Sequence, residues 1–291
     1  MFKKILKIAG IVLGSVVALM ALFYTKVYFS TEARINKRYD ITARALPITY
    51  DSASYELGGR LIVAKGCTDC HGEDLGGKIF VDDPALGLLV AKNLTYGKGG
   101  LPSSYDEYDW TLALKHGVRR NMKPLLFMPS HEITRLTDQD LAAIISHASR
   151  IPNVDRELPE NSLGPVGRIL TDLNKLPLLP AEMINHQSTQ VKLVKQEVSI
   201  DFGKYLSVAC EGCHRSDMKG GAPVAPGFPV VANITSTGNP GKWTEEQFIN
   251  TLRTGHTPEG KQLNPKEMPW TMTKAYTDVE LKALYVYLTS L

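Results

Sequence analysis

The residues best equipped for chemistry are four cysteines and two histidines in two identical arrangements. Cys67 and Cys70 bracket two residues and are followed at once by His71, and Cys210 and Cys213 are followed in the same way by His214. These are all the cysteines of the 291-residue chain. The order Cys-x-x-Cys-His suits one reaction above others. Two thiols add across the two vinyl groups of a haem as thioethers, and the adjacent imidazole turns onto the iron as its proximal ligand. A disulfide or a redox Cys-x-x-Cys has no need of a histidine directly after its second cysteine. A zinc site would need both pairs, or one pair with spaced histidines, to converge on a single ion. Two motifs predict two covalently bound haem c groups, and in bacteria haem c is attached outside the cytoplasm.

An internal repeat points to the second iron ligands. Asn93-Leu94-Thr95, Met128-Pro129 and Thr137-Asp138-Gln139-Asp140-Leu141 recur as Asn233-Ile234-Thr235, Met268-Pro269 and Thr277-Asp278-Val279-Glu280-Leu281, at an offset of 140 each time. Among eight methionines the repeat singles out Met128 and Met268, each before a proline and each upstream of the same type of helix. A thioether opposite histidine stabilises ferrous iron and raises the potential. Met122, Met183, Met218 and Met272 have no such place and are expected to fill apolar gaps. The remaining histidines, His116, His131, His147, His186 and His256, do not recur between the copies; His116 and His131 are the nearest alternatives for bis-histidine ligation. The Asn-x-Thr segments read equally as donors to haem propionates or as turns that satisfy their own backbone.

The elements that must position these groups are helical, and the expected fold class is all-α. Apolar spacing predicts a helix ahead of each motif, at Ser54 to Lys65 and at Phe202 to Ala209. Thr137 and Thr277 are N-cap residues with Asp140 and Glu280 placed to close a capping box, and the helices that follow carry one-faced apolar stripes ending at Ala148 and Leu288. A third helix per copy runs from near Tyr105 and Trp243 to Gly117 and Gly255, glycine being a natural stop. Long Gly- and Pro-containing loops, such as Gly97 to Pro102 and Gly220 to Pro229, leave a poor core unless a large apolar macrocycle fills it.

Lys3, Lys4 and Lys7 precede an apolar run from Ile8 to Tyr24 that Val27, Tyr28 and Phe29 extend, which is the length of a membrane-crossing helix. Lysines before the run put the N-terminus in the cytoplasm and the bulk of the chain in the periplasm, as a single-pass protein of a bacterial inner membrane. A cleaved signal peptide is the rival reading, although no clean small-x-small site follows the run, and no cysteine lies near enough to make a lipoprotein. Eight Lys/Arg against two Asp/Glu in residues 1–45 leave a net charge of −3 over the rest, so no nucleic-acid partner is expected. The resulting division is an anchor at 1–30, a stalk at 31–50, a first haem domain at 51–154, a proline-rich linker at 155–195 and a second haem domain at 196–291.

From about residue 51 onward the chain resembles class I c-type cytochromes in tandem dihaem form. The run from Asn93-Leu94-Thr95 through Met128-Pro129 to Thr137-Asp138-Gln139-Asp140-Leu141 is similar to the cytochrome subunits of bacterial membrane-bound alcohol and aldehyde dehydrogenases. The resemblance implies small helices wrapped on each haem and histidine–methionine ligation at the positions named; six ligands on each iron leave no open site, so no enzymatic activity of the chain's own is expected. It implies single-electron transfer between respiratory partners such as a dehydrogenase, a quinol-oxidising complex or a terminal oxidase. A dihaem peroxidase or thiosulfate-oxidising cytochrome is the alternative, and it requires one iron with an open or labile position.

Overall fold

The computed structural model describes residues 2–188, 191, 193–224 and 227–291. Met1 of the expected anchor, Thr189, Gln190 and Lys192 of the expected linker, and Ala225 and Pro226 of the expected second loop lie outside the described residues. The chain opens with α1 (Phe2–Ile35), a 34-residue helix that leaves most of its apolar side chains exposed; among the described residues it alone is long and apolar enough to cross a membrane. The first copy contains α2 (Ser52–Ala64), α3 (Cys67–His71), strands β1 (Lys78–Asp83) and β2 (Gly87–Ala91), then α4 (Glu107–Thr111), α5 (Ser130–Ile133) and α6 (Asp138–Ala148). A connecting stretch carries β3 (Ser162–Leu163) and α7 (Pro165–Asp172). The second copy contains α8 (Ile200–Leu206), α9 (Val208–His214), α10 (Glu245–Thr254), α11 (Trp270–Thr273) and α12 (Asp278–Thr289).

In each copy the first helix crosses the last at a glycine. A Cβ on Gly58 of α2 would lie 1.9 Å from the Ala143 carbonyl oxygen of α6, and one on Gly203 of α8 would lie 2.1 Å from the Ala283 oxygen of α12. The absent side chain lets the backbones meet, and Leu61, Ile62, Leu141, Ile144 and Ile145 close over the contact in the first copy. Phe202, Leu206, Leu281, Leu284 and Leu288 do the same in the second. Gly58→Ala and Gly203→Ala are each expected to cost about 1–3 kcal/mol by forcing the helices apart. The check is the midpoint of thermal unfolding followed by circular dichroism, where unchanged midpoints would show that the crossings tolerate a methyl group.

Each final helix is capped, but not identically. Thr277 accepts from the Glu280 amide and Glu280 accepts in return from the Thr277 amide at 2.6 Å, completing the box. In the first copy Thr137 accepts from the Asp140 amide, yet the Asp140 carboxylate does not return to the cap. It accepts from the Tyr205 hydroxyl of the second copy instead, and that oxygen also accepts from the Thr137 amide at 3.1 Å. Aspartate is one methylene shorter than glutamate, and a neighbouring donor claims it. The counterpart runs the other way: Arg60 of α2 donates to Glu280 at 2.6 Å. The capping acid of each final helix is thus engaged by the first helix of the other copy, and the two copies share one continuous apolar core.

The all-α expectation needs correction, because β1, β2 and β3 form an antiparallel sheet in that order. Its origin is a length difference: Asn93 lies 22 positions after His71, but Asn233 lies 19 after His214. The longer segment has room for two strands around Asp83-Pro84-Ala85-Leu86-Gly87, where the Asp83 carboxylate accepts from the amides of Ala85 and Leu86 at 2.8 Å. An Asx-type turn between two apolar runs is a hairpin signal, and it was available in the sequence. Gly87 has φ of 120° and faces Ser162 of β3, where a Cβ would collide with the carbonyl oxygen. Among its described residues the shorter second segment forms an isolated antiparallel bridge, Gly221 with Val231.

Candidate haem-attachment sites

Both motifs are wound into short helices, α3 and α9, that leave their cysteines partly buried and place their histidines in a buried position. His71 is 8% exposed and His214 is 7% exposed. The Nδ1 atom of His71 lies 2.8 Å from the Lys92 carbonyl oxygen, and that of His214 lies 2.8 Å from the Ala232 oxygen. A carbonyl can only accept, so Nδ1 carries the proton in each ring and the lone pair is left on Nε2. Burial also lowers the pKa of both imidazoles against the opposing pull of the carbonyl, so they remain neutral. A neutral, oriented imidazole with Nε2 free is what a proximal iron ligand requires.

The loops that follow exist to deliver those carbonyls. Lys78 pairs with Ala91 in the first copy and Gly221 with Val231 in the second, in each case one residue before the carbonyl that holds the histidine. The return is made by Gly77 and Gly220, with φ of 77° and 65°, whose amides donate to the carbonyls of His71 and His214. A side chain at either position would strike the opposing strand, at 2.4 Å from the Ala91 oxygen or 2.3 Å from the Val231 oxygen.

The four thiols are unpaired and at least partly buried. Burial pushes the Cys67 and Cys210 thiols up to about 12, so both are protonated at neutral pH in the absence of a bound group. Cys67, Cys210, Met128 and Met268 all pack against the same core. The two methionines share a local geometry: Pro129 and Pro269 have φ near −77° and ψ of 51° and 58°, and the next amide donates back to the methionine carbonyl at 2.7 Å. This inverse γ-turn gives both methionines the same backbone setting. Met218 is fully buried core, Met183 is 55% exposed, and Met122 belongs to a small separate cluster.

His116, His186 and His147 are engaged with one another or with backbone. His116 faces His186 across 3.2 Å between Nδ1 atoms, and His147 bonds the Tyr55 carbonyl at 2.9 Å while stacking on its ring. His131 lies in α5 with its Nε2 3.8 Å from Glu132 and its Nδ1 buried without a partner, and the backbone of His256 forms a bridge with Gln262. The Asn-x-Thr segments are turns: the side-chain oxygens of Asn93 and Asn233 accept from the amide and hydroxyl of Thr95 and Thr235 at 2.9 and 2.8 Å in both copies. Sequence reasoning missed Trp110, whose indole nitrogen is buried without a protein acceptor in the same core. An unmatched buried donor is costly, and a bound group bearing an acceptor would satisfy it. The buried neutral imidazoles, partly buried thiols and this orphan donor together fit a haem.

Between the copies lies Lys65, whose ammonium is 5.4 Å from the Tyr205 ring centroid and 5.6 Å from that of Tyr276. Burial depresses its pKa, and the carboxylates of Asp140 and Glu280 partly restore it.

Two small helical units, each with a thiol pair, an oriented imidazole and a thioether on a fixed turn, define a c-type haem protein. Residues 55–148 and 201–291 match the model of the family Cytochrome c, and the chain belongs to that family. Covalent haem c and electron transfer come with this membership. A fructose dehydrogenase cytochrome subunit from Gluconobacter japonicus is 23% identical over 273 residues, covering 84% of this chain and 54% of that protein. The cbb3-type cytochrome c oxidase subunit CcoP of Helicobacter pylori is 31% identical over 113 residues, 38% of this chain and 34% of that subunit. The chain therefore spans about half the length of the first of these relatives and about a third of the second.

Proposed function

We propose that this chain is a membrane-anchored dihaem electron carrier with no substrate of its own. One haem is attached at Cys67 and Cys70 with His71 and Met128 as axial ligands, and the other at Cys210 and Cys213 with His214 and Met268. The units are residues 51–154 and 196–291, joined by a linker at 155–195 and held by a stalk at 31–50 to an anchor at 1–30. The anchor crosses a bacterial inner membrane once, with Lys3, Lys4 and Lys7 on the cytoplasmic side and the haem units in the periplasm. Electrons pass between a donor such as a dehydrogenase or quinol-oxidising complex and an acceptor such as a terminal oxidase. The likeness to a dehydrogenase cytochrome subunit and to an oxidase subunit supports partners of these classes.

The observation that carries the proposal is the sameness of the two sites. Each has the carbonyl-held imidazole and the Met-Pro inverse γ-turn. Bound haem supplies a one-electron couple with no proton or atom transfer. His71 and His214 would hold the iron through Nε2, and Met128 and Met268, partly buried against the core, would supply its second ligand. With both positions filled, neither haem would offer a site for peroxide or another small substrate. Carbon monoxide added to the reduced protein is expected to bind neither haem within seconds, as followed by absorbance. Rapid binding at one haem would instead favour a dihaem enzyme of peroxidase or thiosulfate-oxidising type.

A further inference from the structure

The helix α1 does not stop where its apolar run stops. From Ile8 to Phe29 the run is about 30 Å long at about 1.5 Å per residue, close to the thickness of a bilayer's hydrocarbon. Its outer edge therefore falls between Lys26 and Phe29, with Tyr24 and Tyr28 in the aromatic belt expected there. At this level α7 packs against α1. The Arg168 guanidinium donates to Thr31 Oγ1 at 2.8 Å and Glu32 Oε1 at 2.7 Å and lies 4.4 Å from the Tyr28 ring centroid. One turn further along α7, Asp172 pairs with Lys26 at 2.6 Å. The helix thus runs back along α1 toward the membrane, and Val27 and Thr31 of α1 are fully buried in the contact. Arg34 fastens the same joint from above, bonding the Thr171 carbonyl at 2.7 Å, Asn174 at 3.0 Å and Glu182.

The end of α7 consequently lies beside the stretch of α1 from Lys26 to Arg34, just outward of the apolar run's last turn. Leu173, the next residue, is 52% exposed, and Phe29 at the outer edge of the run on α1 is 66% exposed. The one acid at this end, Asp172, keeps only 5% of its side chain exposed and is neutralised by Lys26, which suits a place beside lipid. Lys175, two residues beyond Leu173, is exposed, as a cation at the phosphate level would be.

We propose that the turn after α7 is a second membrane contact, in which Leu173 enters the boundary between headgroups and acyl chains of the outer leaflet and Lys175 meets lipid phosphate. This rests on the reading that α1 crosses the membrane. Its consequence is mechanical: two contacts joined by the Arg168, Asp172 and Arg34 bonds hold the first haem unit at one height and tilt, so a partner in the same membrane always meets the same face.

The test uses the full haem-loaded chain in vesicles of phosphatidylethanolamine and phosphatidylglycerol. The native cysteines are engaged as thioethers, so a nitroxide can be placed singly on Leu173→Cys, on Leu13→Cys in the middle of α1, or on Val279→Cys, an exposed site of α12. Collision with oxygen, which concentrates in lipid, is compared with collision with a water-soluble nickel chelate. The label at 13 is expected to be deep, the label at 279 aqueous, and the label at 173 intermediate, with its chelate collisions at least threefold below those at 279. A label at 173 that matches 279 while 13 stays deep overturns the second contact and keeps the anchor. Aqueous behaviour at 13 overturns the anchor, and the second contact with it.

Discussion

Met128→Leu lowers the midpoint potential of one haem by an amount on the order of a tenth of a volt or more, and Met268→Leu does the same to the other. Axial ligands move haem potentials over a span of about 0.8 V, and a thioether opposite histidine holds the ferrous state. Leucine is nearly isosteric with methionine, so the packing against the shared core changes little and the cost in stability stays below about 1.5 kcal/mol. The two effects are separable because Met128 and Met268 stand on different loops, each on its own Met-Pro turn. A redox titration followed by absorbance reads both. A variant that titrates like the wild type removes its methionine from the ligand set, and a variant that loses haem altogether shows the residue to be structural.

Replacing both cysteines of the second motif, Cys210→Ala with Cys213→Ala, halves the covalently held haem and unfolds the second unit. Each unit has about 90 residues, short helices and long loops, so its own apolar side chains supply little more than the few kcal/mol by which small domains are stable. Removing the macrocycle leaves His214 and the sulfur of Met268 facing an empty core. The haem-to-protein ratio by the pyridine haemochrome assay is expected to fall from two to one, and limited proteolysis to cut first within residues 196–291. The shared core predicts a further consequence, since Asp140 and Thr137 lose the Tyr205 hydroxyl that reaches across from α8. The first unit should therefore unfold at a lower temperature even with its own haem in place. A ratio that stays at two would end the covalent assignment at this motif.

The copies of the repeat also show how much of the fold could be read in advance. The capped final helices, the helices ahead of the motifs and the glycine stops at Gly117 and Gly255 are local features, set by the φ and hydrogen-bonding preferences of single residues, and they stand where the spacing puts them. The hairpin was also local, yet it was hidden inside a segment whose Gly and Pro content reads as loop. The Asn-x-Thr segments could be settled only with coordinates, because a side chain that satisfies its own backbone and one that waits for a ligand have the same sequence.

The sequence by itself marked the chemistry: two Cys-x-x-Cys-His motifs of the kind that attach haem c, and two methionines in equivalent places of a repeat. Those are properties of residue types at short spacing, and spacing survives without a fold. Only the tertiary structure decided how the carbonyls of Lys92 and Ala232 hold the imidazoles, how Arg60 and Tyr205 exchange partners across one core, and how α7 returns along α1. Each of these joins residues 18 to 220 positions apart, whose meeting depends on how whole helices pack, and pairwise packing over such distances leaves no periodic mark on the chain.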